Sequence, residues 1–341
     1  MGSFRKGLQP DLERGDMANT IKIRPTIIPI ASGKGGVGKT FFTANLAIAL
    51  AEMGHPTVAM DMDLGGSNLH FFLGLPNRFP GIGNFLKTRS AELEEMLVST
   101  EIPNLQFLPG DGLSPFMANI PHAQKIRLIS RIIKLPAEYI LLDLGAGTSF
   151  NMLDLFRLSP HGFVITTPES PAITNMMTFL KHLMLRIIEG NFTKNHYICE
   201  MLHSMYKTDK QISIGAIQSR IAAIDHEAGK TVMELCRRYR PRVVFNMGEH
   251  PDEIKISEQI NNSLKSILSL EVDYFGFIFN DPAVRQSIKK KIPFIPCYRK
   301  NMTTENIERI AERIVKYWSK PIDNSALRLL NHTRKVYENR T

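Results

Sequence analysis

The chain has 341 residues, 43% of them apolar and 22% charged, the balance of a soluble globular fold with room for one large α/β domain or two smaller ones. No apolar run approaches the roughly 20 residues of a membrane span, and Met1 to Asp16 lack the apolar core of a secretory signal, so a cytoplasmic location is expected. Residues 285–341 hold 14 Lys/Arg against 5 Asp/Glu and so carry the whole net charge of +9, while Cys199, Cys236 and Cys297 lie too far apart for a disulfide framework or a zinc or iron–sulfur site.

Residues 1–24 are polar and read as a leader, with Met17 as a second candidate start. From Thr26 onward β-rich runs alternate with helical stretches. That pattern predicts an α/β fold of three layers, a mostly parallel twisted sheet flanked by helices, over residues 25–320. Strands are expected at 26–31, 57–60, 105–108, 139–142, 162–166, 242–246 and 274–279. Pro29 removes one ladder donor from the first, which is expected to be irregular. A helix is expected from Thr40 to Met53, ended by Gly54. Residues 181–239, rich in Met, Leu, Ile and Lys, read as a helical insertion of two or three helices. Residues 321–341 read as a basic tail, in which Ala326 to Tyr337 can form a short helix with Leu327, Leu330 and Tyr337 on one side.

The run Gly33-Lys34-Gly35-Gly36-Val37-Gly38-Lys39-Thr40 fits G-x-x-x-x-G-K-[ST] between a predicted strand and a predicted helix. Backbone N–H groups of such a loop curl around phosphate oxygens, and the following helix points its positive end at the same anion. Lys39 is expected on the β- and γ-phosphates and Thr40 on Mg²⁺; Phe41 completes the nucleotide-binding set. The strand 57–60 leads into Asp61 and Asp63, whose alternation in an extended segment points both to one side beside the loop. A second apolar run, Tyr139 to Leu142, ends in Asp143, a carboxylate placed to support the metal. Asn246 closes the strand 242–246, where an amide can both donate to and accept from a base edge. No Asn-Lys-x-Asp run marks a guanine reader.

Lys34 makes the loop resemble the deviant phosphate-binding motif Lys-Gly-Gly-x-x-Gly-Lys-Thr of the MinD/ParA superfamily of P-loop ATPases. The resemblance covers about residues 26–318, and it implies ATP and Mg²⁺ as cofactors and slow hydrolysis stimulated by a partner protein. It also implies an ATP-dependent homodimer in which Lys34 reaches the partner subunit's phosphates. By the same resemblance Asp63 positions water, Asn68 helps hold it, Asp61 supports the metal end, Leu144 to Thr148 form a second switch, and Asn246 reads adenine. The stretch Thr166 to Asn175 looks most like FlhG/FleN-type relatives, which implies control of the number or placement of a structure such as flagella. The basic tail is then expected on an anionic membrane surface, reversibly. The alternatives are a partition ATPase that binds nonspecific DNA through Lys289, Lys290 and Lys291, and a nucleotide-bound scaffold with little hydrolysis.

Overall fold

A computed structural model describes residues 24–110, 120–208 and 212–339; the expected leader, Met17 included, lies outside them except for Arg24. The described residues form one eight-stranded sheet: β1 (Thr26–Ala31), β2 (Thr57–Met62), β3 (Val98–Ser99), β4 (Leu105–Leu108), β5 (Tyr139–Leu144), β6 (Phe163–Thr166), β7 (Arg242–Gly248) and β8 (Asp273–Phe279). The order is β3-β4-β2-β5-β1-β6-β7-β8, and every pairing is parallel except that of β3 with β4. The helices are α1 (Lys39–Glu52), α2 (Leu69–Phe72), α3 (Ile82–Lys87), α4 (His122–Ile132), α5 (Phe150–Phe156), α6 (Ser170–Asn191), α7 (His196–Thr208), α8 (Ile214–Ile224), α9 (His226–Arg238), α10 (Ser257–Ser263), α11 (Pro282–Lys290), α12 (Phe294–Cys297), α13 (Met302–Tyr317) and α14 (Ser325–Glu338).

The central strands are nearly continuous apolar runs because both sheet faces are covered. In β5, Ile140, Leu142 and Leu144 enter the core shared with α3 to α9, while Tyr139 and Leu141 enter the core shared with α1, α12 and α13. This is the three-layer arrangement read from the sequence. Pro29 leaves β1 regular: its pairing with β5 runs from Thr26 to Ile30, and the β6 ladder starts only at Ile30, beyond the missing donor. Where two or three helices were expected over 181–239, four occur, α6 to α9, and α6 begins eleven residues earlier, at Ser170, with a proline in its first turn. Ser213 and Asp225 cap α8 and α9 with their side chains.

The expected tail helix forms, as α14, but its apolar side is used internally rather than offered to a membrane. Leu329 is buried, Leu330 and Tyr337 pack on the core, and Tyr337 stacks on Phe279 with centroids 5.7 Å apart. Ser325 Oγ accepts the Tyr274 N–H at 3.0 Å, and Arg334 Nε donates to Asp252 at 3.0 Å. Of the three expected apolar residues, only Leu327 is exposed. The physical reason is the edge strand β8, which α14 packs against.

Arg242, the first residue of β7, is wholly buried between Phe275 and Trp318, with its guanidinium carbon 4.3 and 4.5 Å from their ring centroids. Its Nη2 donates to the carbonyls of Tyr317 and Trp318 at 2.9 and 2.6 Å and so closes the C-terminal end of α13. Burial pulls its pKa down to about 10, so it keeps its charge at neutral pH. Arg242→Ala is expected to destabilise the chain by about 3–5 kcal/mol, read from urea unfolding, because it removes both the stacking and the cap.

Candidate functional site

The loop between β1 and α1 turns through Gly36 and Gly38, both at positive φ (85° and 80°). Gly38 is doubly required: a Cβ there would lie 2.2 Å from Asn246 Nδ2. Gly33 answers to packing, since its Cβ would meet the Asn175 carbonyl of α6 at 2.1 Å, whereas Gly35 and Gly36 face open space. The loop edges a cavity of about 600 Å³ lined by Gly35 through Phe41, Asp63, Asn68 and Asn246, large enough for a nucleotide-sized ligand.

The two loop lysines are separated. Lys39 is buried, and its Nζ donates to Asp143 Oδ1 at 2.7 Å; Lys34 is exposed and outside the cavity lining. Thr43, one helical turn beyond Lys39, donates its hydroxyl to the same Asp143 oxygen at 2.9 Å and fixes that carboxylate. Asp143, one residue before the end of β5, lies directly opposite Asp61 of β2. Strand β2 runs two residues further than expected and takes Asp61 into the sheet, while Asp63 stays in the loop beyond it.

Asp61 therefore lies below the cavity rather than beside Asp63. It is buried, and it accepts the N–H groups of Asp63 at 3.2 Å and Leu69 at 3.0 Å. Burial, and then the charge of Asp143, raise its pKa to about 7. A raised carboxyl keeps its proton longer in the folded than in the unfolded chain. Its contribution to stability is therefore full below about pH 4 and is lost as pH rises toward 7. Without added metal or nucleotide, Asp61→Asn is expected to remove this fall from the stability-against-pH curve, measured by urea unfolding from pH 4 to 8.

Asp63 borders the cavity, and its carboxylate lies beside the Gly145 backbone. Asn68, the N-cap of α2, donates to the Gly66 carbonyl at 2.6 Å. The segment expected as a second switch is tied to the residue that precedes the P-loop, because Gly147 N–H donates to the Ser32 carbonyl at 3.1 Å. Asn246 is buried, and its Nδ2 donates to the Val37 carbonyl at 2.8 Å, so its amide buttresses the loop as well as lining the cavity.

The sequence reading missed the apolar wall, Phe71 and Phe72 of α2, Met247, Ile278 and Phe279, and the polar Asn280 and Asp281 that continue it. Met247 has φ 58° at a break in the β7–β8 register, which turns it out to the cavity. The chemistry of the donors fits magnesium: Thr40 lines the cavity with Asp61 and Asp143 behind it, all three carry hard oxygen donors, and a cation there would offset the juxtaposed carboxylates. No group of three or more His, Cys, Asp or Glu that could form a metal cage occurs among the described residues.

The fold and this loop define a P-loop nucleotide-binding domain with a second, surface lysine. The family model described as the CobQ/CobB/MinD/ParA nucleotide binding domain matches residues 28–294, and the chain belongs to that family, as a MinD/ParA-type P-loop ATPase. The chain is similar to a putative septum site-determining protein MinD of Guillardia theta, 37% identical over 201 residues that make up 58% of this chain and 71% of that one. The septum site-determining protein MinD of Helicobacter pylori is 35% identical over 144 residues, 42% of this chain and about half (53%) of the relative's length. Among solved structures, MinD of Pyrococcus horikoshii, complexed with Mg-ADP, shares the fold with TM-score 0.56 at 20% identity over 86% of this chain and 98% of that one. A MinC:MinD complex of Aquifex aeolicus matches at TM-score 0.55 and 22% identity, over 88% and 98%. No helix among the described residues is long and apolar enough to cross a membrane.

Proposed function

We propose that the chain is an ATP-hydrolysing molecular switch that dimerises around nucleotide and controls the placement of a cellular structure. The observation that carries the reading is the division of labour between the two loop lysines: Lys39 inside the cavity on Asp143, Lys34 exposed outside it. A triphosphate offers Lys39 more oxygens than Asp143 does, so binding moves its ammonium from carboxylate to phosphate. Thr40, with Asp61 and Asp143 behind it, would hold magnesium, which supplies neutralisation of the phosphate charge. Backbone N–H groups of residues 35–40 cradle the phosphates. Asp63 orients the attacking water, Asn68 holds it, and the apolar wall of Phe71, Phe72 and Met247 keeps bulk water out.

Lys34 has no role inside its own cavity and is free to act on the phosphates of a second subunit across a two-fold interface. Lys34→Ala is expected to bind ATP as the wild type does and to stay monomeric with ATP, measured by light scattering on a sizing column. An ATP-dependent dimer of that variant would refute the role in trans.

The relatives named septum site-determining proteins favour division-site placement over flagellar control. Because α14 uses its apolar side on β8, attachment to an anionic surface rests on exposed cations such as Lys289 and Lys290, and a dimer doubles them. Co-sedimentation of the ATP dimer with anionic vesicles or with nonspecific DNA separates the membrane reading from the partition reading.

A further inference from the structure

A second cavity, of about 510 Å³, lies away from the P-loop, between the start of α5, one face of α6 and the end of α7. Phe150, Leu153, Leu185 and Ile212 make part of its lining apolar. The polar part is dominated by donors: Lys181, His182 and Arg186 of α6, with His203 and Tyr206 of α7. The one lining carboxylate, Glu189, is already engaged, since it accepts from Arg186 Nη1 and pairs with His203 Nε2, both at 3.0 Å. Arg186 also donates to Asp154 from Nε at 2.9 Å and Nη2 at 3.1 Å, so the donors that face the cavity are Lys181, His182 and Tyr206. Tyr206 Oη and His182 Nδ1 are shielded from water and have no hydrogen-bond partner, an arrangement that is rare in folded chains. Burial holds the Tyr206 phenol far above its usual range, so it stays a donor; burial, with the charge of Lys181, holds the His182 imidazole below its own, so it stays neutral.

We propose that this cavity binds a small organic carboxylate with an aryl or branched alkyl body, and that its occupancy is linked to the switch loop preceding α5. An inorganic anion would leave the apolar lining uncovered, a hydrocarbon would leave the Tyr206 hydroxyl without an acceptor, and an organic cation would meet the Lys181 ammonium. The Arg186 guanidinium lies over the Phe150 ring, 4.8 Å from its centroid, so one side of the cavity already presents a cation on an aromatic face. The volume suits a ligand of drug-like size. Thr148 and Phe150 line the cavity directly after Gly147, whose N–H holds the Ser32 carbonyl, and Ser32 itself lines the P-loop cavity. A ligand that fixes the start of α5 therefore acts on the same loop as a nucleotide, and the effect must be reciprocal. This linkage rests on the nucleotide reading given above; the binding does not.

The test is calorimetric titration of the full chain with 4-phenylbutyrate and with its primary amide, in the presence and absence of a non-hydrolysable ATP analogue. The acid is expected to bind with a Kd at or below millimolar. The amide, and the acid on Tyr206→Phe or Lys181→Gln, are expected to bind at least about fivefold more weakly. Tyr206→Phe should melt no lower than wild type, because the hydroxyl it removes has no partner. The analogue is expected to shift the acid's Kd by at least about threefold. No saturable binding of the acid, equal binding of acid and amide, or unchanged binding to both variants overturns the site, and an unchanged Kd with the analogue bound overturns the linkage. A chain that does not bind the analogue overturns the nucleotide reading and the linkage with it, while the comparison of acid with amide still decides the cavity.

Discussion

Lys39→Ala is expected to weaken ATP and ADP binding by about 10²–10³-fold, because it removes the one buried cation of the phosphate cradle and its charge-assisted hydrogen bonds. The substitution has a second effect that a surface lysine would not show. Lys39 is the ion-pair partner of Asp143, and Asp143 faces Asp61 across β2 and β5, so its loss leaves two carboxylates together in the sheet without their cation. The variant should therefore also unfold at lower denaturant at neutral pH, by about 3–5 kcal/mol, and recover part of that stability as pH falls. Lys39→Gln, which keeps a donor near Asp143, separates the two effects: it should lose nucleotide with a smaller loss of stability. Nucleotide affinity is read with a fluorescent ATP analogue and stability with urea. Nucleotide binding by Lys39→Ala at wild-type affinity would remove the P-loop assignment.

Asp63→Ala is expected to lower ATP turnover by about 10²–10³-fold while leaving nucleotide affinity within a few fold of wild type. The carboxylate lines the cavity, is half-buried, and makes no ion pair with Lys39, so its removal disturbs neither the P-loop nor the sheet. Hydrolysis needs water held in line with the transferred phosphoryl group, and orientation contributes more there than basicity. With hydrolysis blocked, the ATP form should persist and accumulate. Equal phosphate release from wild type and Asp63→Ala would contradict the assignment.

The parts of this site written in local chain order were legible in the sequence. Gly33 to Thr40 needs only the turn from β1 into α1, and the placing of Asp61 and Asp143 near the C-terminal ends of β2 and β5 follows from the apolar runs before them. What the sequence hid was depth. Two further residues of strand carry Asp61 into the sheet, and no pattern in Asp61-Met62-Asp63 marks where the strand stops. Thr43 was missed for a different reason. Its link to Asp143 joins residues 100 apart in the chain, although its place one turn after Lys39 on the same helix face was a usable signal. Asn246 looked free to read a base because strand-end amides have no fixed partner in sequence; in the fold, the close approach of Gly38 brings the Val37 carbonyl to it.

The C-terminal helix shows the limit most plainly. Leu330 and Tyr337 suggest an apolar side with nothing to cover, and only the sheet order makes β8 an edge strand that needs that side. The two-residue strand β3 is too short to leave a period in the sequence. The wall of Phe71, Phe72 and Met247 is assembled from two segments far apart in the chain, and each alone reads as ordinary core.

The account turns on whether nucleotide state sets subunit number. The direct measurement is the mass in solution of Asp63→Ala, by light scattering, with ATP and magnesium and again with ADP and magnesium. Twice the chain mass of 38.6 kDa with ATP and a single mass with ADP is the predicted result. The same mass with both nucleotides, each shown to be bound, would contradict it.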